Sequence, residues 1–321
     1  MKSFSRVLMT AVFAFLFAAV AQAQSYPSKP IRMIIPFAAG GGADTNMRQI
    51  LPEMNKQVQG QFVIDNRPGA NGIMAAEIAA KSAPDGYTIF VATNSTHSAN
   101  PHLYKKLPYD ALGDFDPIGM VGQTAPVLLK GAKLNVANLK QVVELARKSP
   151  GTLNFAITNT SSLLSTEAFK RAAGVKLTNI NYKSGPQAVT DLASGHIDFV
   201  FGDMATAGGL IKAGRVQPLA VASARRLAAY PEVPTVAEAG VPGVEVEIWV
   251  GLFAPRGTPR EIIADLNQAL IASLQLEGTK ANFATVGMDA RPMATQEFIQ
   301  YVRQQYEHWG QMIRDAGIQP E

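Results

Sequence analysis

Cysteine is absent from the 321-residue chain, so no disulfide, thiol nucleophile or cysteine-linked lipid anchor can form. Packing alone must hold the fold, which a chain of this size manages because it buries most of its surface. Charge is sparse and nearly balanced: 17% of residues are charged, for a net +4. Lys2 and Arg6 leave with the first 24 residues, so the remainder carries 27 basic against 25 acidic side chains. The pI of 9.2 overstates the basic surface, and no Lys/Arg run with interleaved aromatics occurs. Nucleic acid is therefore not an expected partner. Hydrolytic motifs are missing too, because there is no G-x-S-x-G elbow. Four histidines occur, His97, His102, His196 and His308. None has H-E-x-x-H or other compact ligand spacing, so no metal is expected. His196 reads as a turn residue before a strand. Gly40 and Gly42 follow a strand and Asp65 ends the next, as in a dinucleotide site, but the third glycine of G-x-G-x-x-G falls on Thr45. Pro36-Phe37-Ala38-Ala39 also lengthens that loop, and no G-K-[ST] follows. No cofactor is expected.

What is present begins with an export signal. Lys2 and Arg6 precede an uncharged stretch from Val7 to Val20, and Ala21-Gln22-Ala23 is a small-x-small cleavage site. As a helix that stretch spans about 21 Å, short of the ~30 Å hydrocarbon core. No later segment reaches ~18 apolar residues. The reading is a cleaved signal peptide over 1–23 and a mature chain starting near Gln24, periplasmic and not inserted in the membrane.

Beyond it, short apolar runs alternate with helical patterns. Ile31–Ile35 reads as a strand. From Asp44 a helix carries Met47, Ile50, Leu51, Met54 and Val58 on one face, with Pro52 inside. Strand Phe62–Ile64, helix Ile73–Lys81 and strand Tyr87–Ala92 follow. The rhythm restarts with strand Leu153–Ile157, helix Leu163–Ala173, strand Ile180–Tyr182, helix Ala188–Ala193 and strand Ile197–Phe201. This β-α-β alternation implies two α/β halves with parallel-type sheets. Thr258-Pro259-Arg260-Glu261 reads as a capping box opening a helix, and a last helix runs from about Gln296 to Ile313. These two helices complete the first half, so the chain crosses twice, near 118–129 and 246–253.

Five strand-to-helix loops are rich in small and hydroxyl residues: Gly40–Thr45, Asn94–Thr96, Thr158–Ser162, Lys183–Gly185 and Gly202–Asp203. In a parallel sheet such loops emerge together at the carboxyl ends of the strands, where ligands bind. Helix N-termini there offer unpaired N–H groups that suit an anion. Each charge-assisted hydrogen bond contributes roughly 1.5–3 kcal/mol. Micromolar binding needs about −8 kcal/mol net, after at least ~4 kcal/mol of association cost. Two facing lobes could supply enough contacts; one loop could not.

Eight ordered stretches carry a family resemblance: YPSKPIRMIIPFAAGGGAD (26–44), DNRPGANG (65–72), APDGYTI (83–89), NSTHSANPHLYKKLPYDALGDFDPI (94–118), ELARKSPGTLNFA (144–156), INYKSGPQAVTDLASGHIDFVFGD (180–203), PEVPTVAEAG (231–240) and GLFAPRGTP (251–259). Over nearly the whole mature length the chain resembles the extracytoplasmic solute receptors of tripartite tricarboxylate transporters, often called Bug proteins. The resemblance implies a type II periplasmic binding-protein fold. Domain 1 would be 24–122 plus 251–321 and domain 2 would be 123–250, around a ligand cleft. It implies a non-enzymatic, monomeric receptor that passes a small carboxylate to membrane permease subunits. It also implies a ligand site from Phe37, Ala39, Gly42, Ala43 and Asp44 in the first loop, and from Asn94, Ser95 and Thr96 in the second. Domain 2 would add Thr160, Ser161, Ser162 and Asp203. Asp44 would cap its helix and hold the loop; Asp203 could accept from a ligand amine or hydroxyl, or only cap the next helix. The segment Ile157–Leu164 departs from the family's usual G-N-G-T-S-x-H-L, lacking its glycines and histidine. An exported α/β enzyme acting on a small organic acid, or a ligand sensor in a signalling system, are the alternatives.

The signal reading predicts that protein recovered from the periplasm of an expression host has an intact mass starting within a few residues of Gln24. Recovery at full-length mass would contradict it.

Overall fold

The computed structural model describes residues 26–321; the export signal over 1–23 lies outside them. The chain runs β1 (Ile31–Ile35), α1 (Gly42–Gln57), β2 (Phe62–Asn66), α2 (Ile73–Ala80) and β3 (Thr88–Thr93). A π turn over Ser95–Ala99 then leads into the short α3 (Asn100–Leu103), followed by β4 (Phe115–Thr124). Next come β5 (Val127–Gly131), α4 (Leu139–Lys148), β6 (Asn154–Ile157), α5 (Thr160–Ala173), β7 (Thr178–Asn181), α6 (Gly185–Ser194), β8 (Phe199–Gly202), α7 (Met204–Lys212) and β9 (Val216–Val221). The chain ends with β10 (Ile248–Pro255), α8 (Arg260–Gln275), α9 (Glu277–Thr285), β11 (Asp289–Ala290) and α10 (Thr295–Asp315).

Two sheets result, ordered β11-β4-β10-β3-β1-β2 and β7-β6-β8-β5-β9. Both are mixed. Strands β2, β1 and β3 are mutually parallel, as are β7, β6 and β8, and these triplets are the βαβ units legible in the sequence. The segments expected only as crossings are themselves strands. β10 lies antiparallel between β3 and β4, and β5 lies antiparallel between β8 and β9. From β4 in the first sheet the chain enters the second within two residues, Ala125 and Pro126, and it returns through β10.

Each sheet is covered on both faces, as parallel strands require. The first lobe packs Met47, Ile50 and Met54 of α1 and Leu266 and Leu270 of α8 on one face of its sheet. Its other face carries Phe90, Phe115, Trp249, Phe253 and Phe298. In the second lobe, Phe155, Phe199, Phe201 and Phe169 of α5 form the aromatic centre of one face. A smaller cluster joins Leu164 of α5 to Ala99, Leu103, Val246, Trp309 and Ile313, so α10 packs on both lobes. Among the described residues no helix is long and apolar enough to cross a membrane.

Two local expectations are corrected. α1 opens at Gly42, two residues before Asp44. The expected Thr258 capping box is not formed: α8 starts at Arg260 with no side-chain cap, because the Thr258 hydroxyl donates to the Pro255 carbonyl at 2.8 Å. A true capping box stands instead at Asn159 and Ser162.

Strand β10 tolerates no side chain at Gly251, where an added Cβ would lie 2.3 Å from Phe298 Cζ. Gly251→Ala therefore overpacks a closed aromatic cluster and should cost about 1–3 kcal/mol, read as a lower urea midpoint at unchanged slope. An unchanged midpoint would contradict this packing.

Candidate functional site

The first loop is held by hydrogen bonds back into lobe 1. After β1, Gly40 takes φ +74°, a left-handed conformation that glycine adopts freely. Gly41 then precedes α1 and provides no side-chain cap. The opening N–H groups of a helix have no intrahelical acceptor, and here no side chain of the loop supplies one. Asp44 is used otherwise. It is 2% exposed, and its Oδ2 accepts from Gly40 N and Arg48 Nε, both at 2.9 Å. Its Oδ1 accepts from Asn66 Nδ2 at 3.2 Å, and the same amide donates to the Phe37 carbonyl at 3.0 Å. Burial opposes the Asp44 charge, but the bonds from Arg48, Gly40 and Asn66 outweigh it and hold the carboxyl below the ordinary aspartate range. Asp44 thus clamps the loop to the end of β2. Phe37 packs on the lobe-1 core, Ala43 is buried, and Ala39 is exposed at the loop tip.

Asn94 leaves β3 and enters the π turn, a rare geometry often found at functional sites. The turn is held from behind. Tyr109 donates its hydroxyl to the Thr96 carbonyl at 2.8 Å, and the Thr96 hydroxyl accepts from Thr93 N and donates to Thr93 O, each at 3.2 Å. The His97 ring sits 4.3 Å from Phe253 and 4.8 Å from Phe115, centroid to centroid. Full burial pushes its pKa down to about 3, so it is a neutral wedge near pH 7. Ser95 projects toward the second lobe from this aromatic-footed turn, while Thr96 bonds back to Thr93 within lobe 1.

The second lobe meets these loops directly. Thr160 donates its hydroxyl to Ser95 Oγ at 2.6 Å, and Asn94 Nδ2 donates to Ser161 Oγ at 2.8 Å. All four residues are buried. Ser162 turns inward: its hydroxyl accepts from Thr158 N at 2.8 Å and from Asn159 N at 3.1 Å, closing the cap of α5. Asp203 caps α7 through Oδ1, which accepts from Thr206 N at 2.7 Å. The same carboxyl group lies against Gly42 of the opposite lobe, where an added Cβ would be 2.8 Å from its Cγ and Oδ1. Burial raises the Asp203 pKa, and the hydrogen bond from Thr206 only partly offsets it. The first turn of α6 also approaches the first loop: Pro186 Cδ lies 4.0 Å from where a Gly41 Cβ would be.

The structure thus brings Gly42 to Asp203, and Asn94 and Ser95 to Thr160 and Ser161. Asp44, Thr96 and Ser162 bond within their own lobes. Sequence reasoning missed Asn66 and Tyr109, which hold the two lobe-1 loops, and Asn46, buried on α1 one turn beyond Gly42. Only the N-R-P-G and L-P-Y-D contexts marked the first two, and nothing local marked Asn46.

Among the described residues no three His, Asp or Glu side chains gather as metal ligands. The hydroxyls of Ser95, Thr160 and Ser161 bond to one another and to Asn94, not to an imidazole that could activate them. What the site offers is donors and hydroxyls on two facing surfaces. A separate cavity of about 300 Å³ is lined by Tyr26, Pro27, Gln57, Val58, Asp265 and Leu266. It lies at the far end of α1, about 20 Å from Gly42 at helical rise, and is not part of this site.

A family model described as tripartite tricarboxylate transporter family receptor matches residues 46–318. Protein BugT of Bordetella pertussis is 33% identical over 306 residues, covering 94% of this chain and 93% of that one. The solved structure of R. palustris Rpa4515 with adipate is 32% identical with a TM-score of 0.89, covering 92% of this chain and 100% of the other. MatC from Rhodopseudomonas palustris with bound malate is 31% identical with a TM-score of 0.83, covering 90% and 100%.

The two aspartates have opposite linkage. Asp44, with a lowered pKa, contributes stability that is present above the ordinary aspartate range and lost as pH falls through its lowered value. Asp203, with a raised pKa, binds protons better in the folded state. Its contribution is present below the ordinary range and lost as pH rises through the raised value. Asp44→Asn should therefore lower the melting temperature near neutral pH, by about 1–3 kcal/mol of stability, and lower it less in acid. Asp203→Asn should raise it near neutral pH, with the gain fading in acid. Thermal melts across that range check both, and the same sign for both variants would contradict the assignment.

Proposed function

Because this chain belongs to the tripartite tricarboxylate transporter receptor family, we propose that it is a periplasmic receptor that captures a small carboxylate between its lobes and hands it to membrane permease subunits. The observation that carries this reading is the seam itself. An α1 N-terminus without a side-chain cap and the hydroxyl loops of both lobes meet where the carboxyl ends of the parallel strands converge. Solved relatives hold adipate and malate, by their descriptions, and both are small dicarboxylates.

The lobes that move divide close to the expected boundaries at 122 and 250, with all of β4 and β10 in the first lobe, and the protein works as a monomer. Among the described residues two chain passages join them, at Ala125-Pro126 and before β10, a layout that permits hinge closure. Closure is favoured to the extent that the ligand binds the closed arrangement more tightly than the open one. Phe37, Ala39, Gly42, Ala43, Asp44, Asn94, Ser95, Thr96, Thr160, Ser161, Ser162 and Asp203 form or support the binding surface. Ser95, Thr160 and Ser161 are its hydroxyl contacts, and Asp44 and Ser162 fix the loops. The protein is not an enzyme on this reading, since the hydroxyls stand without a base.

Native mass spectrometry of the purified protein should reveal a co-purified carboxylate. On refolded, ligand-free protein, a carboxylate should raise the melting temperature by mass action, while neutral sugars should not. Stabilisation by sugars and by no carboxylate would overturn the reading. Gly42→Val should weaken carboxylate binding at least about tenfold, roughly 1.4 kcal/mol, because its side chain would strike Asp203 on closure. Equal affinity for variant and parent would remove this contact from the closed state.

A further inference from the structure

Two glycines of lobe 1 receive successive residues of lobe 2. Gly42 opens α1 against the Asp203 carboxyl group, 2.8 Å from where a Cβ would stand. Gly287, in the turn between α9 and β11, is approached by the next residue: its Cβ position lies 3.1 Å from Met204 Cβ and 3.3 Å from Leu227 Cδ1. The start of α7 therefore seats on lobe 1 at two points, one beside the ligand loops and one outside them. The second point carries a strap. After β9, residues 223–230 reach across from lobe 2, and Tyr230 donates its hydroxyl to the Thr285 carbonyl at 2.7 Å. Leu227 and Tyr230 pack in one apolar cluster with the buried Met204. Arg225 also meets Asp289 at 3.4 Å, but both side chains are exposed and such a pair contributes little.

Both halves of the strap are anchored on the passages between the lobes. Thr124, the last residue of β4, donates its hydroxyl to the Gly287 carbonyl at 2.6 Å, and Asp289 pairs with Gln123. On the lobe-2 side, Ala222 N donates to the Pro126 carbonyl at 2.8 Å, and the Ala222 carbonyl accepts from Val246 N at 2.9 Å. A rotation that draws Asp203 away from Gly42 must carry Met204, the next residue in the chain, away from Gly287. Resting on the receptor reading above, we propose that Tyr230 and Leu227 are positioning residues for closure. They hold Met204 in the Gly287 notch and stabilise the closed arrangement from outside the ligand loops. Affinity for a ligand that needs the closed state falls with the fraction of protein that adopts it. The strap thus scales the affinity for every acid alike, whereas the Ser95, Thr160 and Ser161 hydroxyls determine which acid is preferred.

The chain has no cysteine, so Lys56→Cys on lobe 1 and Lys212→Cys on lobe 2, both at exposed positions, place one spin label on each lobe. Double electron–electron resonance and calorimetry then follow closure and binding of succinate, malate, adipate and benzoate by refolded, ligand-free protein. A saturating probe should draw the labels to one separation in the parent and in the Tyr230→Phe, Leu227→Ala double variant alike, which shows that the closed form itself is preserved. The double variant should bind every active probe at least about threefold more weakly, by one common factor, and release it faster. Contacts that only steady the fold of their own lobe would leave affinity unchanged. That result, a loss confined to some of the acids, or a different closed separation overturns the inference and leaves the receptor reading intact. A parent protein that neither binds nor closes on any probe contradicts the receptor reading itself.

Discussion

The structure depends on a set of main-chain N–H groups that its own side chains leave uncapped. Where α1 begins, Gly41 contributes no side chain, and the nearest carboxylate, Asp44, turns back to Gly40, Arg48 and Asn66. Such groups need an acceptor, and a helix start favours a negative one. The glycine run serves the same end by letting another surface come close. Gly42 has room for the Asp203 carboxyl group of the other lobe and for no side chain of its own.

Around that constraint the two lobes divide the work. Lobe 1 offers a rigid surface. Its second loop is a π turn footed on Phe253, Phe115 and a neutral His97, and braced by Tyr109. Lobe 2 offers helix starts already capped by Asn159 and Asp203, so the hydroxyls of Thr160 and Ser161 are left to reach across to Ser95 and Asn94. The departure of Ile157–Leu164 from the family's usual segment has a structural counterpart here. Without glycines the segment closes as an Asn-Ser capping box, and Leu164 fills the cluster beside Trp309 and Val246 near the crossing. One residue of that segment thus forms part of the contact between lobes that α10 completes.

Much of this was legible in the sequence, and the gaps have physical causes. The parallel triplets showed as short apolar runs separated by amphipathic helices, and the loops expected to meet between the lobes followed from where such strands end. β4, β5 and β10 read as connectors, because a buried apolar run says nothing of its partner or its direction. Thr258 had the form of a cap, but its hydroxyl found the Pro255 carbonyl first. Asn46 sits between an exposed-looking Thr45 and the core residue Met47, so its pattern is that of a solvent-facing position. Only the packing of α1 on α7 buries it. Asp203 carried two readings in the sequence; the structure shows its cap through Oδ1 and, independently, its approach to Gly42.

The central claim is a place: a carboxylate held between the start of α1 and the Asn94–Thr96 and Thr160–Ser161 loops. A crystal structure of the protein with its tightest-binding carboxylate tests that place directly. The account predicts carboxylate oxygens within hydrogen-bonding distance of α1 main-chain N–H groups and of at least one hydroxyl from each lobe. Density for the ligand elsewhere, at the cavity beside Tyr26 and Asp265 or on one lobe alone, would contradict it.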